Sequence, residues 1–427
     1  MVGTARARGV AVIAAAIAAL LVPLAGAVPA AVAGVAQPAL VSSTPKAGTP
    51  NLKTGYIVHD DAVVGGVVYA GGQFTQFENA ARTVTYDRNN LVAYSASTGA
   101  VLPLSFTFNG DVQALVGSPD GSSLYVGGNF STVNGVARDH LVKVNLATGT
   151  LDTTFRPSLA GAVYGLAYAN GKLYAGGTFA KRLVALDPKT GADTGSVVVS
   201  VTGQLDTAIA TKIAKIAVNP AGTDLVAIGN FTTVNGQARK AAFRLSLGAS
   251  AATLSSWHPT RFDVTCAVPN FLRDVDWSPD GSYFVIVGTG GPSGGYPATG
   301  FCDAAGRWEA SSAGSTAEPT WINWTGGDSL YSVAISGTAV YVGGHNRWLD
   351  NPLGHDSAGT GAYEVDSIGA IDPATGKAIR TWNAMPMDRN HGKEDLTLYS
   401  GGLVVGGDGT TLKGIYHKGT GIFPLGG

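Results

Sequence analysis

Charge is scarce in this 427-residue chain, so the places where charged and aromatic side chains gather carry most of its chemical information. His59 and Asp60 stand just ahead of or within an apolar, strand-like run, and Asp111 stands at the same point one repeat later. Arg273 with Asp274, and His391 with Glu394 and Asp395, occupy that point again further on. Carboxylates beside a histidine are the residue types that general acid–base chemistry uses, and the types that bind a hard cation. A second group lies in the insertion HNRWLDNPLGHD, where His345 and Arg347 flank or adjoin Trp348. An aromatic ring among Asn, Asp and His could stack on a sugar and bond its hydroxyls; equally, Trp348 could anchor a loop packed over its neighbour. No zinc-binding helix motif, nucleophile elbow or phosphate loop accompanies either group. Binding is therefore expected ahead of catalysis. No cofactor is expected, with calcium the one ion the carboxylates would suit.

These residues are positioned by a repeat. Glycines that close strand-like runs, as in VVYAGG, LYVGG, LYAGG, VYVGG and LVVGG, recur every 49 to 63 residues, giving seven copies of one unit. Each copy has a first apolar run, a turn such as Ser118-Pro119-Asp120-Gly121, and a second run ending at the glycine. A third run closes in a Thr-Gly turn, and a fourth carries an aromatic: Phe106, Phe155, Trp257, Trp321 or Trp324, and Trp382. Four antiparallel strands repeated seven times predict an all-β, seven-bladed β-propeller of four-stranded antiparallel blades. In that geometry the lead into each first strand and the loop between second and third strands share one face, so the charged residues above would surround a channel mouth. Residues near Ala39 to Ser43 would supply the missing outer strand of the last blade and remove an exposed edge.

Composition agrees with this class and excludes others. Gly is abundant, at 60 residues, while only 13% of residues are charged and the net charge is −1. That balance offers nothing to nucleic acid or to an anionic membrane. Arg6 and Arg8 precede an apolar run from Val10 to Leu24, followed by small residues. The layout is that of a secretory signal peptide, with cleavage after Ala27 or after Ala33. We therefore expect residues 1–36 to be the signal, 37–54 an extended lead-in, and 55–427 the propeller. An exported chain with a single cysteine pair, Cys266 and Cys302, most simply forms one disulfide.

The runs GGNFSTVNGVARDHLVKVNLATGTLDTTFRP and GNFTTVNGQARKAAFRL resemble the delta-60 repeats of bacterial exported proteins, which are propellers by expectation. The resemblance spans roughly Gly55 to Tyr416 and is sharpest in the second and fourth units. Kelch and quinoprotein repeats are more distantly similar. The family carries no general catalytic assignment, so the resemblance implies a fold and a compartment but no reaction.

Residues that recur from copy to copy belong to the scaffold, and so do Arg88, Arg138 and Arg239, which stand before the third strands of the first, second and fourth units. Function is expected where the units differ. The expectation is a secreted or cell-surface monomer, free of membrane insertion once its signal is cut, that binds a glycan or a surface protein on the channel-mouth face. The site would comprise His59, Asp60, Asp111, Arg273, Asp274, His345, Arg347, Trp348, His391, Glu394 and Asp395. A polysaccharide hydrolase or lyase using His59, Asp60, Asp111, Asp274, Glu394 and Asp395 is the rival reading, and a structural envelope protein the third.

Overall fold

The computed structural model describes Met1 and residues 34–269, 271–291, 300–388 and 392–426. Residues 2–33, where the signal is expected, the glycine-rich stretch 292–299 and His391 lie outside the described residues. Within them the secondary structure is β-strand apart from one 3-10 turn, Thr260–Asp263. Among the described residues no helix is long and apolar enough to cross a membrane.

Every unit begins with an inner strand: Asn51–Val64, Val112–Gly117, Val163–Ala169, Lys212–Val218, Leu272–Trp277, Leu330–Ile335 and Lys393–Tyr399. Each pairs antiparallel with a second strand, which pairs in turn with a third. The first of these strands starts at Asn51, four residues before the expected boundary at Gly55. The inner strands pack side by side in sequence order, and the last packs against the first, giving the closed ring of a β-propeller.

The outer edges vary. Full fourth strands occur at Thr150–Leu151, Ala252–Leu254 and Trp321–Trp324. Elsewhere the fourth position shrinks to single bridges, Tyr94 to Val101, Leu186 to Asp193 and Ile371 to Ala378. In the last unit the lead-in supplies it: Val41 bridges Leu425 antiparallel, and Ser42 and Lys46 donate backbone N–H bonds to Pro424 and Ile422. Trp382 fastens this strap by donating from Nε1 to the Val41 carbonyl at 2.8 Å, while Val41 N–H donates to the Tyr341 hydroxyl. First and last parts of the chain thus share one sheet, and the edge that would invite another chain is covered.

The repeated residues serve the scaffold. Phe155, Trp257 and Trp382 are buried between sheets. Arg88, Arg138 and Arg239 each donate to backbone carbonyls, those of Asp87 and Leu102, Ala137, and Ala238 and Ser255. Asn134-Gly135 and Asn235-Gly236 take positive φ at both positions, which a tight two-residue hairpin requires, and cap small ribbons between second and third strands. Asn230, within a glycosylation-type triplet, is fully buried and holds the backbone of Leu205 and Asp206. Cys266 and Cys302 form the disulfide, with α-carbons 5.8 Å apart, tying the lead into one inner strand to the loop before Ala304–Glu309.

Candidate functional site

The channel is built by one irregularity that recurs in every unit. Each inner strand slips by one residue against its partner, between Val58 and Asp60, Val112 and Ala114, Val163 and Gly165, Ile213 and Lys215, Leu272 and Asp274, Leu330 and Ser332, and Lys393 and Asp395. Such a bulge opposes two residues to one and re-aims side chains. The extra residues form one level around the ring: His59, Gln113, Tyr164, Ala214, Arg273, Tyr331 and Glu394. The next residues form a deeper level: Asp60, Ala114, Gly165, Lys215, Asp274, Ser332 and Asp395. Scaffold residues before the bulge remain apolar in most units, as Val58, Val112, Val163 and Ile213, and are fully buried.

At the deeper level the charges converge on Lys215. Its Nζ lies 3.1 Å from Asp60 Oδ1 across the ring. Burial alone would push this lysine down, but Asp60, then Asp274 and Asp395, outweigh it and hold the ammonium above its usual range. The carboxylates also fasten neighbouring sheets. Asp60 accepts from Leu115 N–H at 2.6 Å, Asp274 from Val333 N–H at 2.9 Å, and Asp395 from Asp61 N–H at 3.2 Å. Thus each carboxylate reaches the inner strand of the next unit. Burial pushes Asp274 up to about 6 against the pull of Lys215, and burial with Asp60 raises Asp395 well above the carboxylate range.

Asp61, which the spacing sets beside Asp60, points elsewhere. It occupies the position filled by Leu115, Leu166, Ile216, Val275, Val333 and Leu396 in the other units, turned toward Gly406 between the last sheet and the first. Neither of its carboxyl oxygens has a hydrogen-bond partner among the described residues, and burial raises it well above the usual range.

The outer level, toward the lead-in loops, is richer in mixed chemistry. The Arg273 guanidinium lies 5.7 Å from the Tyr331 ring centre, and the His345 ring meets Tyr331 edge-on at 5.4 Å. Burial raises Glu394, with Arg273 opposing. In the neighbouring units Lys212 Nζ sits 4.6 Å from the Tyr164 ring, and burial, helped by Arg273, lowers it below its usual range. Burial raises Asp111, whose charge reaches Tyr164. His59 is pushed down to about 4 by burial, then by Lys215, with Asp60 opposing.

The structure therefore brings together His59, Asp60, Arg273, Asp274, Glu394 and Asp395 at the channel, with Asp111 and His345 at its rim. Arg347 and Trp348 belong to a separate packing unit. Arg347 forms a two-point pair with buried Asp328, at 2.7 and 3.0 Å, and also bonds Asp356. Its guanidinium covers the Trp348 ring at 4.3 Å. Among the side chains that sequence reasoning left out of the site are Lys215, whose charge organises the deeper level, and Asp276 below it. Their departure from the small or apolar residues of other units was the available signal.

Beneath the Lys215 level is a cavity of about 780 Å³, running toward the turns at Gly65-Gly66, Ser118-Pro119 and Ser400-Gly401. Four carboxylates, Asp60, Asp274, Asp276 and Asp395, and one ammonium, Lys215, line it. Among the described residues no group of three or more His, Cys, Asp and Glu side chains is arranged to hold a metal ion.

A family-level comparison supports the propeller architecture. Residues 119–155 match the family described as "Domain of unknown function (DUF5122) beta-propeller". No curated protein matches the chain significantly. Among solved structures, hydrazine synthase of Kuenenia stuttgartiensis is similar at 14% identity with a TM-score of 0.42, over 70% of this chain and 77% of that one.

Proposed function

We propose that the chain is an exported, seven-bladed propeller of four-stranded blades, of the delta-60 type, acting as a monomeric binding module whose site is the outer level of the channel mouth. Its ligand is a glycan carrying acidic groups. The observation that carries this reading is the recurrent bulge, which presents His59, Tyr164, Arg273, Tyr331 and Glu394 as members of one ring. Tyrosine faces stack on sugar rings, while Arg273 and Lys212 offer donors to carboxylates or sulfates. Rigid strands hold these groups, so little ordering entropy opposes binding.

A hydrolase or lyase gains less from this geometry. Asp60, Asp274 and Asp395 spend acceptor oxygens on the backbone of the next sheet, and Lys215 sits among them. That arrangement serves cohesion of the ring.

The test is a glycan array probed with the exported protein, with and without calcium. Binding to acidic glycans that is lost in Arg273→Ala and in Tyr164→Ala, and retained in Trp348→Ala, supports the mouth as the site. Loss in Trp348→Ala alone moves the site to the 345–356 loop. A blank array removes the glycan reading and favours a surface protein as the partner.

A further inference from the structure

The lower cavity has more negative than positive groups, and one of its carboxylates has no counterpart in other units. Asp276 stands where the remaining inner strands carry Ala62, Val116, Ala167, Ala217, Ala334 and Thr397. It accepts from Ile335 N–H at 2.8 Å and from Trp277 N–H at 2.8 Å. Two backbone donors stabilise its ionised form, yet burial, aided by Asp274, pushes it up to about 7. Its side chain borders the cavity while the surrounding strands keep it deep in the molecule, so a charge there needs a cation beside it. Lys215 stands at the level above, on the opposite side of Asp274 in the series.

Gly34 reaches this carboxylate. A β-carbon at Gly34 would lie 3.2 Å from the carbonyl oxygens of Ile335 and Trp277 and 3.9 Å from Asp276 Oδ2. Three acceptors from two inner strands thus surround one residue of the lead-in. The segment is held just beyond: Gln37 is buried, takes Ser336 as its backbone acceptor, and donates from its side-chain amide to the carbonyls of Tyr399 and Gly402. An amide nitrogen at Gly34 carries one donor and no charge. An ammonium carries three donors and the missing positive charge, and once Ala33 is gone rotation about the Gly34 Cα–C bond can carry it to the place of that β-carbon, beside the three acceptors.

We propose that the bond between Ala33 and Gly34 is the one cut during export, and that the new α-ammonium of Gly34 is the counter-ion of Asp276. The residues Ala31-Val32-Ala33 present the small side chains that a signal peptidase accepts. Hydrolysis adds water across the amide: the Ala33 carbonyl carbon takes the oxygen and departs as a carboxylate, and the Gly34 nitrogen takes protons to become an ammonium. Cutting after Ala27 instead would leave Val28 to Ala33 attached and the Gly34 nitrogen an uncharged amide. Thus the lower channel distinguishes the two cleavage points that the sequence leaves open. The inference rests on export and is independent of the ligand at the mouth.

The experiment is export of the full chain from a bacterial host, followed by amino-terminal sequencing and intact mass. The expected terminus reads Gly-Val-Ala-Gln; a chain beginning at Val28, or one left uncut, overturns the proposal. The amine is then probed with an amine-reactive ester at pH 7. Pairing with Asp276 raises the α-amine, and each unit of rise lowers its reactive fraction about tenfold. The mature protein should therefore label at least ~10-fold more slowly than the peptide of residues 34–40, and urea should remove the difference. Asp276→Asn should restore most of the rate while near-ultraviolet circular dichroism stays native. Equal rates for folded protein and peptide overturn the pairing, and unchanged slow labelling in folded Asp276→Asn assigns the protection to burial alone.

Discussion

Replacing Lys215 by methionine should cost this protein far more than the loss of an ordinary surface charge, and the cost should depend on pH. The lysine side chain is mostly covered, and its Nζ lies 3.1 Å from Asp60 Oδ1. Two unit charges at that distance attract by about 5 kcal/mol at an effective dielectric constant near 20. Desolvation of both ions offsets part of this, but removing one partner strands the other, for which a loss of about 3–5 kcal/mol is usual. Methionine fills much of the same volume, so cavity formation adds little. At pH 8 more of the stranded negative charge persists, and the larger loss should appear there. At pH 5 the stranded carboxylates can take up protons in the folded state, recovering about 1.4 kcal/mol for each unit below their new pKa. Chemical denaturation followed by tryptophan fluorescence, at pH 5 and pH 8, measures both numbers. Adding Asp60→Asn to the lysine variant should restore part of the stability at pH 8. A loss under about 1 kcal/mol at pH 8, or an equal loss at both pH values, would refute the placement of Lys215 as the hub of the ring.

Other expectations follow from the same structure. His417 is buried, shares a hydrogen bond of 2.8 Å with Thr49, and is pushed down to about 4 by burial. Its contribution is present above the unfolded value and is lost as pH falls from about 6.5 toward 4, so His417→Gln should gain about 2 kcal/mol, relative to wild type, on moving from pH 7.5 to 5. Reducing the disulfide opens a loop with a sequence separation of 36 and should lower stability by about 4 kcal/mol in the chain-entropy account, measured by denaturation with and without reductant. Trp382→Ala removes both a large buried ring and the donor that holds Val41; a loss of about 3–5 kcal/mol and faster proteolysis near residues 34–46 are expected. Arg273→Ala should abolish ligand binding with less than about 1 kcal/mol of stability change, since its guanidinium meets the Tyr331 face and the charges of Glu394 and Lys212 but forms no salt bridge among the described residues.

Much of the architecture could be read from local pattern. Glycines at the ends of second strands, Asn-Gly hairpins and fourth-strand aromatics repeat because each unit solves the same packing problem. The strap near Val41 was visible as a strand missing at the other end of the array, and the two cysteines had only each other. The site was harder. A strand's side chains alternate, so His59 and Asp60, Arg273 and Asp274, and Glu394 and Asp395 would ordinarily face opposite ways. The bulge turns both members of each pair toward the channel, and nothing in their identities announces it. Arg347 and Trp348 looked exposed and sugar-like in sequence, yet Asp328, distant by 19 residues, takes the guanidinium and leaves it lying over the indole.

By itself, then, the sequence determined the repeat, its strand content and turns, the pairing of its cysteines and which residues were scaffold, because these depend on interactions within one unit or between identical neighbours. Only the tertiary structure decided which charges meet. Asp60 and Lys215 are separated by 155 residues and become partners because ring closure brings opposite inner strands across one channel. Asp61 differs from Asp60 by a single position and is sent between sheets instead, because the register after the bulge reserves that position for the seam. Charge pairing inside the ring is set by closure and register, and both are properties of the whole chain.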